Sequence, residues 1–142
     1  MVIFDISGGG FAGGLEWLWL FLPLGYTATV LIEAPILLLF LPRILGWKKR
    51  LAAGLWLTSC TYPVVVLVLP ALMYGYPRIL YLAVAETFAP LAECALFWLV
   101  FRGTEGFEAG AWMRSFAVIV VANLLSFGIG EILNTYVWSS IF

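Results

Sequence analysis

The chain has 142 residues, of which 64% are hydrophobic and 11% charged, with seven Lys/Arg against eight Asp/Glu and a formal net charge of −1. An average soluble domain is roughly 45–50% apolar and about 25% charged, so a soluble fold of this length has no interior large enough for that much apolar surface. The balance excludes an ordinary soluble enzyme, a disordered chain and a nucleic-acid binder, which needs a basic surface for phosphate. Histidine does not occur. Its absence removes the commonest general base and metal ligand, and with them any Ser-His-Asp or Cys-His site within one chain.

From the N-terminus, the first charges are Asp5 and Glu16. A signal peptide instead opens with a basic segment, so the first apolar run is expected to stay in the mature protein. Gly8-Gly9-Gly10 and Gly13-Gly14 lack the preceding strand and following GK[ST] of a phosphate loop and read as a flexible lead-in. A bilayer core about 30 Å thick takes about 20 apolar residues as helix. Four runs qualify: about Leu15–Leu41, Leu51–Met73, Ile79–Phe101 and Ser115–Trp138. All exceed the about 9–11 alternating residues of a membrane strand. The predicted fold is therefore all-α: an integral membrane four-helix bundle, a single membrane domain over residues 1–142, with short loops and no soluble domain.

Orientation follows from Lys and Arg in the short loops. Arg43, Lys48, Lys49, Arg50, Arg102 and Arg114 fall at one end of the predicted bundle, and only Arg78 at the other. The first end is expected to be cytoplasmic, with both termini on the non-cytoplasmic side. Trp17, Trp19, Trp47, Trp112 and Trp138 sit near span ends, where amphipathic rings anchor at the interface. The location this implies is a prokaryotic inner (cytoplasmic) membrane, with the lipid bilayer, and further copies or other membrane subunits, as partners.

Four of the eight acids lie inside the spans: Glu33, Glu86, Glu93 and Glu131. A carboxylate in hydrocarbon costs several kcal/mol unless it faces a partner or a cavity. Counted from the middle of each span, Glu33, Ser59, Thr61, Glu93 and Asn123 form one layer displaced toward the basic end. Glu86 and Glu131 form a second, roughly 10–14 Å of helix rise away. Helical spacing adds one polar stripe per span: Tyr26, Thr29 and Glu33; Thr58 and Thr61; Glu86 and Glu93; Asn123, Ser126, Gly130 and Asn134. Spans one and three run in the same direction with Glu33 and Glu93 at similar depth, a hint of internal twofold symmetry along the membrane normal. A helix proline frees the carbonyl four residues back. Pro35, Pro63 and Pro90 thus mark expected kinks close to Glu33, Ser59 and Glu86.

Thr61-Tyr62-Pro63, Glu86 with Glu93, and Asn123-Leu124-Leu125-Ser126 resemble the T-x-P, E-x6-E and N-x-x-S signatures of small four-span prokaryotic integral membrane proteins of unknown function. The resemblance covers spans two to four, is compatible with Glu33, and implies a four-span fold without an activity. The surroundings of Glu33 do not match the small multidrug-resistance transporters. Cys60 and Cys94 do not form the CxxC of a vitamin-K-epoxide-reductase-like redox site and read as small packing residues.

The expected function is an intramembrane carboxylate/amide site for a proton, cation or small polar substrate. Glu33, Glu93 and Asn123 form its centre, Ser59 and Thr61 are neutral ligands, and Glu86 and Glu131 form an outer station. The alternative is a non-catalytic accessory subunit of a larger membrane complex, such as a respiratory or photosynthetic assembly. A lipid-directed enzyme with a Glu base is the weakest reading, because no nucleophile–base pair or metal cluster is visible. The sequence names no cofactor.

Overall fold

A computed structural model describes the backbone of residues 11–136 and the side chains of residues 22–132. Among the described residues the regular structure is entirely helical. We label the helices α1 (Phe11–Phe40), α2 (Trp47–Leu72), α3 (Arg78–Phe101) and α4 (Ala109–Tyr136). Each contains a stretch long and apolar enough to cross a membrane. In hydrocarbon no water is available to the backbone, so an apolar run must satisfy its N–H and C=O groups within itself, and the helix does this.

The boundaries differ from the expected ones where charge is tolerated at a helix end. α2 begins at Trp47, taking in Lys48, Lys49 and Arg50, and α4 begins at Ala109 rather than Ser115. Apolar runs mark the part of a helix that suits lipid; the helix itself continues into its polar flanks. Gly13 and Gly14, expected in an irregular lead-in, belong to α1. The predicted end of span four at Trp138 lies outside the described residues.

Three loops of five to seven residues join the helices. Their shortness makes neighbouring helices antiparallel. Gly75 turns the α2–α3 loop at φ +88°, a conformation that a Cβ disfavours. α1 packs against α2 and α4, and α3 packs against the same two. α1 and α3 therefore stand diagonally across a four-membered ring. The α1–α2 contact is close: a Cβ on Gly54 would sit 2.7 Å from Ala34 Cα.

Along its axis the bundle divides into three zones. Toward the basic end, Leu37, Leu41, Leu57, Phe97, Ile119 and Ala122 form a buried apolar plug. Phe97, Phe107, Trp112 and Phe116 extend it through ring contacts of 4.5–6.2 Å between centroids. The middle zone is polar. Beyond it lies a cavity, with a smaller cluster of Leu69, Tyr81 and Ala85 joining α2 to α3 at the far end. The outward faces are apolar, with Ile79 76%, Met113 74% and Leu72 71% exposed, in keeping with helices long and apolar enough to cross a membrane.

Two arginines tie the C-terminus of α1. Arg50 Nη1 donates to Leu38 O at 2.7 Å, and Arg114 Nε donates to Phe40 O at 2.9 Å. The last carbonyls of a helix have no partner within it and carry partial negative charge. Cations from α2 and α4 thus cap α1 and lock the basic end.

α1 and α3 are continuous through Pro35 and Pro90. α2 changes its repeat after Pro63, where Val64–Val68 form a π-helical segment. The wider winding leaves backbone groups less regularly paired, and Tyr81 Oη donates to Val65 O at 2.8 Å.

Candidate functional site

Four helices bring one polar stripe each to the middle zone. Glu33 and Glu93, on the diagonal pair α1 and α3, are 3% and 2% exposed. A buried carboxyl must be hydrogen-bonded to be tolerated, and α2 and α4 supply the bonds. Glu33 Oε2 lies 2.7 Å from Thr58 Oγ1, and Glu33 Oε1 lies 2.6 Å from Ser126 Oγ. Glu93 Oε1 lies 2.7 Å from Thr61 Oγ1, and Glu93 Oε2 accepts from Asn123 Nδ2 at 2.7 Å. Each carboxyl oxygen therefore has one side-chain partner.

The arrangement has an internal order. Thr58 and Thr61 are one turn apart on α2, and Asn123 and Ser126 are one turn apart on α4. In each pair one member serves Glu33 and the other serves Glu93. Glu33 bonds Thr58, the nearer-to-basic-end member of its own hairpin, and Ser126 from the other hairpin. Glu93 bonds Asn123, the corresponding member of its own hairpin, and Thr61 from the other. The apolar residues continue the correspondence: Leu37 and Leu41 follow Glu33 at spacings of four, as Phe97 and Phe101 follow Glu93, and all four are buried. The helix-hairpin twofold hinted at in the sequence is thus present in the hydrogen bonding.

Comparison with known proteins gives no match: no family model, curated protein or solved structure is significantly similar to this chain. The site's meaning has to come from its own chemistry.

The three hydroxyls of the layer each have two acceptors and one hydrogen. Thr58 Oγ1 is also 2.9 Å from Gly54 O, Thr61 Oγ1 is 3.1 Å from Leu57 O, and Ser126 Oγ is 3.0 Å from Asn123 O. Asn123 Nδ2 has two hydrogens, and it reaches Ile119 O at 3.1 Å as well as Glu93. When a carboxyl is ionised, its hydroxyl partners donate to it. When it carries a proton, it donates to a threonine, whose own hydrogen turns to the carbonyl four residues back. Both states are satisfied at the same heavy-atom positions by the rotation of one O–H bond.

Of the expected site residues, the structure brings together Glu33, Thr61, Glu93 and Asn123. Ser59 is not among them. It lies on the outward side of α2, where its hydroxyl meets Tyr26 Oη at 2.7 Å and Leu55 O at 2.7 Å. A step of one residue rotates a helix position by about 100°, so matching depth did not make it a neighbour of Thr61. Thr58 and Ser126 were not expected in the site and complete it. The signal was there, since each lies three residues from a recognised member on the same stripe. The outer pair is also divided. Glu131 binds Arg78 in a two-oxygen ion pair at 2.7 and 2.9 Å. Glu86 lines the cavity instead.

The cavity holds about 400 Å³ and lies on the far side of the polar layer from the apolar plug. Glu33, Glu93 and Asn123 form its floor, while Ala28, Val66 and Phe127 are among its apolar walls. Among the described residues, no three His, Cys, Asp or Glu side chains converge as metal ligands. Cys60 and Cys94 are free thiols.

Proposed function

We propose that this is an integral membrane protein whose Glu33–Glu93 layer takes up and releases a proton inside the bilayer, as part of a transport or proton-handling function. The observation that carries this reading is the hydroxyl geometry: three hydroxyls poised between a carboxyl oxygen and a backbone carbonyl. A structural carboxyl needs one satisfied state, whereas this layer accommodates two. Interhelical polar bonds in membranes average only about 0.6 kcal/mol, a small return for burying two glutamates. The basic end, with six of the seven Lys/Arg, faces the cytoplasm by the positive-inside rule. The cavity then lies on the side of the layer away from the cytoplasm, and the plug of Leu37, Leu41 and Phe97 separates the layer from the cytoplasmic side.

The test is infrared difference spectroscopy of the carboxyl carbonyl stretch in nanodiscs across a pH titration. Wild-type protein is expected to show a titrating buried carboxyl signal that Glu33→Gln and Glu93→Gln each reduce, with both variants still inserted. A titration left unchanged by both substitutions would refute proton handling at this layer.

A further inference from the structure

The polar layer uses all four oxygens of Glu33 and Glu93 on its own helices. Glu86 is different. It lies seven residues before Glu93 on the same stripe of α3, about 10 Å nearer the far end, and it lines the cavity. Its side chain is only partly buried, and it is not engaged by Arg78, which is committed to Glu131. Among the described residues, three carboxyl groups and no Lys or Arg line this cavity. Its charge complement is a cation.

We propose that the cavity binds a monovalent organic cation with an apolar body, and that Glu86 is its counter-charge. The proposal rests on the reading above in taking the Glu33–Glu93 layer as a proton-handling floor beneath the ligand. Three observations select this class of ligand. The walls are formed largely by Leu24, Ala28, Val65, Val66, Ala89 and Phe127, which offer nothing to a strongly hydrated ion. A hard metal cation needs about six oxygen ligands, whereas Glu86 presents one carboxyl and the floor oxygens are already bonded. An ammonium or phosphonium whose charge is spread among apolar groups sheds its water readily and needs one counter-charge together with contact area. The volume of about 400 Å³ falls within the roughly 300–1,000 Å³ of small-molecule sites. The rings of Tyr62 and Phe127 at the wall add faces that attract a cation.

The same sites assign the roles. Glu86 contacts the ligand's charge. Glu33 and Glu93 set the charge of the floor through the proton they hold, so that ligand and proton compete electrostatically through the cavity without sharing an oxygen.

The experiment is equilibrium binding of tetraphenylphosphonium to the full chain in nanodiscs, with tetraphenylborate as an anion of the same shape. The expected result is saturable binding of the phosphonium and none of the borate above the empty-nanodisc background. Glu86→Gln, close in shape to the wild-type residue, should weaken phosphonium binding by about tenfold or more, the loss that follows removal of one partner of a desolvated charge pair. Ala89→Leu, which fills the cavity without touching the charge, should weaken it as well. Equal binding of both probes would overturn the proposal, because it would mean an apolar cavity without charge selection. Full phosphonium affinity in Glu86→Gln would overturn it too. The infrared titration is read on the same nanodiscs. A normal Glu33/Glu93 signal without phosphonium binding refutes the ligand and leaves the proton-handling reading standing; loss of both refutes both.

Discussion

Gly54→Ala tests whether the α1–α2 contact sets the polar layer. The added Cβ would lie 2.7 Å from Ala34 Cα and 3.1 Å from Ala34 Cβ. Carbon atoms prefer about 3.5–4.0 Å, so the helices must part by roughly 1 Å. The obstacle is backbone, which cannot swing aside as a side chain does. Thr58 lies one turn beyond Gly54, and Glu33 is adjacent to Ala34. The same displacement stretches the 2.7 Å Thr58–Glu33 contact to roughly 3.7 Å, beyond a hydrogen bond. Overpacking costs about 1–3 kcal/mol, and the lost interhelical bond adds about 0.6 kcal/mol. Alanine's better helix propensity returns up to about 1 kcal/mol. The net expectation is a destabilisation of roughly 0.6–2.6 kcal/mol. Gly128→Ala is the control, because a Cβ there meets nothing within 4 Å among the described residues; it should be neutral or slightly stabilising. Reversible unfolding in mixed micelles, followed by tryptophan fluorescence, measures both. Equal stability of the two variants would refute the argument, as would a destabilised Gly54→Ala whose Glu33 carboxyl spectrum is unchanged.

Other expectations follow from single contacts. Thr61→Val removes the hydroxyl 2.7 Å from Glu93 Oε1 and should destabilise by about 1–3 kcal/mol, with Thr61→Ser recovering most of it; Ser59→Ala, on the outward face, should stay within about 0.5 kcal/mol of wild type in the same unfolding assay. Arg50→Met removes a charge-assisted bond to Leu38 O and should cost about 1.5–3 kcal/mol, read as a lowered unfolding midpoint. Arg78→Gln breaks an ion pair in which Arg78 is 46% exposed; its cost should be below about 1 kcal/mol and should shrink further as salt is raised.

The number of helices, their approximate limits and the heights of the glutamates along them were legible in the chain, because a helix able to cross a membrane needs a set length and an apolar composition. Helical periodicity also identified the stripes that carry Thr58, Thr61, Asn123 and Ser126, because spacing of three or four residues places side chains on one face. The stripes did not say which member meets which glutamate. Depth alone admitted Ser59, although its direction is outward, and left Thr58 and Ser126 outside the site. It also grouped Glu86 with Glu131, although Arg78 pairs with Glu131 and not with Glu86.

The chain by itself therefore determined four apolar helices with carboxyls at fixed heights, since rise and periodicity are properties of a single helix. The tertiary structure decided the rest. Rotation of each helix about its axis, and the choice of diagonal partners, depend on contacts between segments far apart in sequence, such as Gly54 against Ala34 and Ser126 against Glu33. Those rotations turned four polar stripes into one hydrogen-bonded layer and left Glu86 facing the cavity beyond it.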